Sequence, residues 1–277
     1  MQVMATRHPH KGQPKAAYSA LEWRALLEVA MLPWSLPVLA TAPRGDGHAV
    51  LLLPGFMGSE VSLIGLELFL RNRGHAVETW GLGRNVGFHA KHATALEQKI
   101  RYLHHRSGRK VSLVGWSLGG VFALYGAHQV PECVRNVVTL GSPLSVDPEG
   151  SASPPLVKAM YRLIAHPMGA VAHSMQPRAK KLRQHTTLPV PLSCLYSLSD
   201  GVVPPQEATV DGNPALHENI RVPGSHVGLG FNPVVLWIVA ERLSQAEGRW
   251  RRFEPSGPLG CAYRLLTPGA APVQAAS

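Results

Sequence analysis

The sequence predicts an α/β protein with a mostly parallel sheet of about six strands and helices on both faces. From residue 49 onward, short apolar runs alternate with longer segments of helical spacing. This alternation is typical of parallel strands joined by crossover helices. The chain has 277 residues, of which 45% are hydrophobic and 16% are charged, so it carries enough apolar material for one large core.

Six segments have the composition of strands that are buried within a sheet. The first is a run of five apolar residues that Pro54 and Gly55 close. The six predicted strands cover 49–53, 75–80, 110–114, 134–140, 192–198 and 219–222. Between them, apolar residues recur at intervals of three and four, which predicts helices over 59–73, 90–105, 118–129 and 232–245. Asn232 followed by Pro233 is a good start for the last of these.

The remaining segments define the predicted domain organisation. Residues 1–47 form a basic tail and an amphipathic helix over 21–32, and the core comprises 48–142 and 191–253. The link 143–190 is far longer than the others and contains a methionine-rich helical stretch, so we predict a helical lid there. Residues 254–277 are rich in Pro, Gly and Ala, which predicts a flexible tail.

The net charge is +10, from 27 Lys and Arg against 17 Asp and Glu. The basic residues are scattered and not interleaved with aromatic ones, so we expect a solvated basic surface and no nucleic-acid partner. The apolar stretch 25–42 contains Glu28, Pro33 and Pro37, which argues against a membrane span. A cytoplasmic location is therefore favoured, with secretion as the less favoured alternative because residues 40–42 resemble a signal-peptidase site.

No cofactor or metal is expected. The three cysteines lie far apart, and the histidine pairs at 89/92 and 104/105 have no nearby set of cysteine or carboxylate ligands. The glycines at 81, 83 and 87 follow a strand but miss the spacing of a dinucleotide-binding loop.

The most specific signal is a serine between small residues, Gly115-Trp-Ser117-Leu-Gly119-Gly, directly after the third strand and at the start of a helix. A serine on such a tight turn presents its hydroxyl outward, and the glycines are needed where neighbouring backbone approaches closely. The alternative is that these small residues only let a helix pack on a strand. Because strand, turn and helix occur in the right order, we favour Ser117 as a nucleophile.

A serine hydroxyl needs a base and an acid that orients the base. Of the four aspartates, Asp200 directly follows the fifth strand, and the active sites of open parallel sheets form at the carboxyl ends of strands. His226 follows the sixth strand and precedes the last helix. The order serine, aspartate, histidine along the chain is the one expected on such a sheet. We therefore predict Asp200 as the acid and His226 as the base.

An acyl-transfer site also needs two backbone N–H donors for the oxyanion. The residue after the serine, Leu118, supplies one at a helix N-terminus. The turn after the first strand, 54–59, should supply the other. Phe56 is the first choice and Met57 the second.

The motifs PGFMGS, GWSLGG, SLSDGVVP and GSHVGLGFNP occur in this order over roughly residues 48–246 and resemble the α/β-hydrolase superfamily, within it bacterial esterase- and lipase-like members. The resemblance implies the α/β-hydrolase fold, a triad of Ser117, Asp200 and His226, and an oxyanion hole at Phe56 and Leu118. Many lipases have His-Gly in the oxyanion loop and His before the serine, where this chain has Pro54 and Trp116.

These observations favour a serine carboxylesterase or lipase-like hydrolase that acts through an acyl-enzyme. The expected partner is a small-molecule ester, which includes lipid-like esters, and peripheral membrane contact stays open. An acyltransferase with the same acyl-enzyme is the second hypothesis, because the PGxxGS form resembles acyltransferases of the lecithin:cholesterol type. A non-catalytic binding protein of this fold is the third. The sequence leaves the oligomeric state open.

Overall fold

A computed structural model describes residues 16–87, 89–144 and 188–268, together with the isolated positions 154, 155 and 159. Its centre is a six-stranded sheet in which every neighbouring pair is parallel, with the order β2-β1-β3-β4-β5-β6. The strands are β1 Ala49–Leu53, β2 Ala76–Thr79, β3 Val111–Trp116, β4 Val134–Leu140, β5 Leu192–Tyr196 and β6 His217–Arg221. The prediction of a mostly parallel sheet of about six strands is confirmed.

The sheet is buried on both faces because its central strands are apolar at successive positions. All residues of β1 are buried; Val50 and Leu52 face one core cluster, while Leu51 and Leu53 face the other. Strand β4 is buried along its whole length as well. Continuous apolar runs, rather than alternating ones, are what a sheet covered by helices on both sides requires.

Helices cover each face of the sheet. They are α1 Ala16–Ala20, α2 Ala25–Ala30, α3 Leu32–Leu39, α4 Ile64–Asn72, α5 Ala90–Ser107, α6 Leu118–Gln129, α7 Pro233–Ser244 and α8 Gly257–Leu266. Helices α5 and α6 contribute to the core cluster on one face, and α3, α4 and α7 contribute to the cluster on the other. The Asn232 side chain accepts hydrogen bonds from the N–H groups of Val234 and Val235, which makes it the predicted N-cap of α7.

Two terminal segments differ from their predictions. The single helix expected over 21–32 is a series of short pieces, α1, a 3₁₀ turn at Glu22–Arg24, α2 and α3. The flexible tail expected from residue 254 instead contains α8. Tyr263 of α8 is buried against Phe253 with ring centroids 5.4 Å apart, because a residue with a large apolar ring stabilises even a Gly- and Pro-rich helix by packing.

The predicted lid over 143–190 lies almost entirely outside the described residues. Its ends do not: Leu144 and Leu188 are both buried in the core cluster beside α5 and α6. Among the described residues, no helix combines the length and the apolar character needed to cross a membrane.

Candidate active site

Ser117 lies on the turn between β3 and α6, and its backbone has φ 53° and ψ −122°. Non-glycine residues rarely adopt a positive φ, and such strain is concentrated at functional sites. The turn is held in place because the Ser117 N–H donates to the carbonyl of Leu140 at the end of β4, over 2.8 Å. The side chain is half-buried, so the hydroxyl lies at the boundary between the sheet and solvent.

The glycines around Ser117 are required by close backbone approach. A Cβ on Gly115 would lie 2.4 Å from backbone atoms of Gly119, and a Cβ on Gly119 would lie 2.1 Å from the carbonyl oxygen of Leu53. A Cβ on Gly120 would lie 2.1 Å from the Ser142 hydroxyl. Any side chain at these positions would push α6 away from the sheet, so the small residues in the motif hold the serine turn against β1 and β3.

Asp200 and His226 form a buried pair at the carboxyl ends of β5 and β6. The Nδ1 atom of His226 lies 2.7 Å from Oδ2 of Asp200. The other carboxylate oxygen, Oδ1, accepts hydrogen bonds from the N–H groups of Val202 and Val203, at 2.8 and 2.7 Å. The exposed fraction is 2% for Asp200 and 7% for His226. The aspartate is thus fixed by its own loop, and it directs one ring nitrogen of the histidine inward.

The surroundings of His226 favour its protonated form. Burial by itself lowers the pKa of the imidazole, but the charge and hydrogen bond of Asp200, together with the charge of Glu22, more than offset this and raise the pKa above its ordinary value of 6.5. A base that is stabilised when charged suits proton transfer near neutral pH.

The turn at the end of β4 brings Ser117 towards this pair. A Cβ on Gly141, the residue after the Leu140 carbonyl that holds Ser117, would lie 2.9 Å from Oδ2 of Asp200 and 3.2 Å from Nδ1 of His226. The indole N–H of Trp116 donates to the carbonyl of His226 over 3.1 Å. Among the described residues no hydrogen bond joins Ser117 to His226, so the sequence-predicted link between them stays a prediction; in unliganded sites such bonds are often long.

The loop after β1, which is predicted to supply an oxyanion donor, is held by hydrogen bonds to Asn85. Met57 has φ 63°, and its N–H donates to the carbonyl of Asn85 over 2.7 Å. Asn85 is fully buried, and its side-chain amide donates to the carbonyl of Pro54 over 2.8 Å. The Met57 N–H is therefore already used by Asn85, which argues against the second-choice donor.

Four residues of this site were not predicted from the sequence. Asn85 binds the loop after β1, Trp116 binds the loop of His226, and Glu22 and Glu28 connect the N-terminal segment to the loops of the pair. A signal for the two glutamates existed: they are the only acidic residues among the first 45. Glu28 in particular interrupts an apolar stretch, and an isolated carboxylate there indicates an internal partner. Within the described residues, no group of His, Cys, Asp and Glu is arranged to hold a metal ion.

Solved structures of other proteins share the fold of this chain. No family model matches the chain. Lipase B of Aspergillus fumigatus superposes on 76% of this chain and 56% of its own, with a TM-score of 0.58 and 16% identity. The lipase BlEst2 of Bacillus licheniformis superposes on 74% of this chain and 95% of its own, with a TM-score of 0.51 and 16% identity. The chain has the α/β-hydrolase fold. The resemblance stated from the motifs is therefore confirmed at the level of the fold.

Two curated proteins are similar in sequence to part of this α/β hydrolase-fold chain. One is the pimeloyl-[acyl-carrier protein] methyl ester esterase of Citrobacter koseri, 36% identical over 103 residues, which are 37% of this chain and 39% of the esterase. The other is the human serine hydrolase BPHL, 34% identical over an alignment of 123 residues that covers 39% of this chain and 40% of that protein. The matched segments span about two fifths of the relatives' length.

Proposed function

We propose that this chain is a carboxylic ester hydrolase whose nucleophile is Ser117. The observation that carries the proposal is the Asp200–His226 pair, hydrogen-bonded at 2.7 Å and buried at the sheet end where Ser117 adopts a positive φ. The similarity to an esterase and to a serine hydrolase, and the fold shared with two lipases, point to the same chemistry.

The reaction begins when His226 accepts the hydroxyl proton of Ser117 through its outer ring nitrogen, Nε2. The serine Oγ then attacks the ester carbonyl, and the resulting oxyanion accepts hydrogen bonds from the N–H groups of Phe56 and Leu118. His226 returns the proton to the leaving alcohol, which departs as the acyl-enzyme forms. Asp200 stabilises the imidazolium that exists between these two transfers.

Water completes the cycle. His226 removes a proton from a water molecule, the hydroxide attacks the acyl-enzyme carbonyl, and the proton passes to Ser117 Oγ as the carboxylic acid is released. The N–H groups of Phe56 and Leu118 stabilise this second oxyanion as well; each such donor typically contributes about 10²–10³ in rate. The substrate class is therefore a carboxylic ester.

The test is hydrolysis of p-nitrophenyl esters from acetate to laurate by the full chain and by Ser117→Ala, together with labelling by a fluorophosphonate probe. We expect the wild type to release p-nitrophenol and to be labelled at Ser117, and the variant to do neither. The acyl length that gives the highest kcat/KM then shows which chain length the acyl pocket accommodates best. Equal hydrolysis by both proteins would show that Ser117 is not the nucleophile, and no labelling of the wild type would contradict the proposal.

A further inference from the structure

The carboxylate of Glu22 joins the two loops that carry Asp200 and His226. Its Oε1 atom accepts hydrogen bonds from the N–H groups of Gly201, at 2.8 Å, and of His226, at 3.1 Å. Its Oε2 atom accepts a third from Val227, at 2.9 Å. Gly201 directly follows the aspartate, so a single side chain bridges both halves of the pair across 179 and 204 residues of sequence.

Neighbouring residues of the same segment contact the same loops. The Ser19 hydroxyl donates to the carbonyl of Gly201 over 2.6 Å, and the Arg24 guanidinium donates to the carbonyl of Ser199. Glu28 accepts from the N–H and the hydroxyl of Ser225, both at 2.7 Å. Residues 19–28 therefore form a strap across the loops after β5 and β6.

Glu22 differs from the rest of the strap because its charge acts on the imidazole. Glu28 binds the base loop through the N–H and the hydroxyl of Ser225, whereas Glu22 binds the N–H of His226 itself, and its charge raises the pKa of the ring. Charge-assisted hydrogen bonds are roughly twice as strong as neutral ones, so three of them hold the two loops in a fixed relation.

We infer that Glu22 is a positioning residue of the active site: it fixes the loop of His226 against the loop of Asp200 and stabilises the charged imidazole, without touching the substrate. This inference rests on the proposed role of His226. If Glu22 served only to anchor the N-terminal segment, its replacement would change stability but leave the titration of His226 where it is.

The test compares Glu22→Gln with Glu28→Gln as the matched control in the same strap. The pKa of His226 is measured by NMR titration of the full chain, with the His226→Asn variant to assign its resonance. We expect the pKa to fall in Glu22→Gln, because a neutral amide no longer favours the imidazolium, and to stay unmoved in Glu28→Gln. With p-nitrophenyl acetate, kcat of Glu22→Gln should fall about tenfold with KM unchanged, and the acid limb of the pH profile should move to lower pH.

An unmoved His226 pKa in Glu22→Gln, with equal losses of thermal stability in both variants, would overturn the inference and leave an anchoring role. Because the NMR titration needs no turnover, it decides the role of Glu22 even if the wild type hydrolyses no ester. A wild type that is inert towards esters, with a His226 pKa that still falls in Glu22→Gln, would contradict the proposed function alone.

The outer side of the N-terminal segment is apolar. From residue 25 to residue 40 every exposed side chain is apolar. The largest exposures are 82% for Trp34, 71% for Leu26 and 61% for Leu36. The one charged residue in this stretch, Glu28, faces inward to Ser225. We call the exposed residues of α2 and α3 the apolar face.

The apolar face is suited to lie on a surface rather than to cross a membrane. Helices α2 and α3 have 6 and 8 residues, and Pro37 lies inside α3. Tryptophan and leucine on an exposed helix face are typical of segments that insert shallowly at the lipid–water interface. Such a large apolar surface on a protein marks a binding site.

Charge favours a lipid surface over a second copy of the chain. The first 21 residues contain Arg7, Lys11 and Lys15 but no acidic residue, and the whole chain carries a net charge of +10. Two copies of this charge repel each other, whereas an anionic bilayer attracts it. We propose that the apolar face docks the protein onto an anionic lipid surface, which would bring the strap and its two loops next to the bilayer.

Flotation of the full chain with vesicles of 30% phosphatidylglycerol in phosphatidylcholine tests this proposal. We expect binding that weakens at high salt and falls at least tenfold in the double variant Trp34→Glu, Leu36→Gln. Leu265→Gln is the matched control, because Leu265 is 81% exposed on α8, outside the apolar face. Its binding should equal that of the wild type.

Two results would overturn the proposal. One is the absence of binding to the anionic vesicles. The other is a dimer in light scattering that the double variant converts to a monomer, which would assign the apolar face to self-association. Circular dichroism of the double variant should match the wild type, since these side chains are exposed and their replacement leaves the core intact.

Discussion

The described part of the chain contains two Asp–His pairs, one at each end of the sheet, and the histidine pKa is shifted in opposite directions in the two. Asp200 and His226 lie at the carboxyl ends of the strands. At the amino ends, His48 Nδ1 lies 2.5 Å from Oδ1 of Asp46, and its Nε2 lies 2.7 Å from the hydroxyl of Ser112. The second arrangement thus has the complete hydrogen-bond order of a serine triad.

The two pairs differ in the charges that surround the histidine. Burial lowers the pKa of His48, Asp46 opposes this, and the cations Arg135 and Arg109 lower it further, with a net fall. The pKa of His226 is raised instead, because its neighbours Asp200 and Glu22 are both anions. The same kind of hydrogen bond therefore accompanies a lowered pKa in His48 and a raised pKa in His226, and the charges around each pair make the difference.

The two serines also differ in their exposure to solvent. Ser112 and His48 are both fully buried, and Ser112 lies within β3, paired with Val50 of β1. Ser117 is half-buried on a strained turn. Hydrogen-bond connectivity alone does not make a nucleophile; the serine must also be reachable and its base must tolerate charge.

Replacing each of the two serines by alanine should give the largest difference in activity between the two Asp–His pairs. Ser117→Ala is expected to lose up to roughly 10⁶-fold in kcat, as triad serines do. Ser112→Ala should keep its activity and instead lose stability, because it leaves the buried Nε2 of His48 without a partner. Mass spectrometry of fluorophosphonate-labelled wild type checks the assignment: a label on Ser112 would reverse the comparison.

Replacing each of the two aspartates by asparagine should give the next largest difference in activity. Asp200→Asn is expected to lower kcat about 10⁴-fold, since an amide favours the wrong tautomer of the base. Asp46→Asn should leave kcat unchanged and cost about 1–2 kcal/mol of stability, a modest value because the Asp46 side chain is 40% exposed. Ester kinetics and urea unfolding of both variants measure this; a large loss of kcat in Asp46→Asn would contradict it.

The smallest effect concerns stability against acid. His75 contacts His48 edge to face, and burial, followed by the charge of His48, lowers its pKa to about 4. Between pH 6.5 and 4 the unfolded chain binds a proton that the folded chain does not, so stability present above pH 6.5 is lost as the pH falls through this window. The loss from this group is about 3 kcal/mol.

His75→Phe should flatten this dependence. Neither ring nitrogen of His75 has a hydrogen-bond partner among the residues that the structure describes, so phenylalanine keeps the packing and removes the titration. Urea unfolding at pH 8, 6 and 5 checks the expectation, with His104→Phe, a partly exposed histidine on α5, as the control. Parallel loss of stability on acidification in the wild type and in His75→Phe would show that another group is responsible.

The core of the fold was predictable because its signals are local. Five apolar residues at 49–53, the glycines around Ser117 and the Asn232–Pro233 start of α7 each determine their own conformation, and the structure places all three elements where the sequence predicts them. The termini were less predictable. Helix α8 depends on Tyr263 packing against Phe253, and composition alone does not reveal such a distant partner.

By itself the sequence determined the α/β architecture and the positions of Ser117, Asp200 and His226 after β3, β5 and β6. Both could be predicted because periodicity and turn residues act within a few positions. The tertiary structure alone decided which carboxylates surround each histidine. Glu22 reaches His226 across 204 residues, and Arg135 reaches Asp46 across 89. Electrostatic interaction depends on distance in space, not along the chain, and so the difference between a histidine with a lowered pKa and one with a raised pKa arises only when the chain is folded.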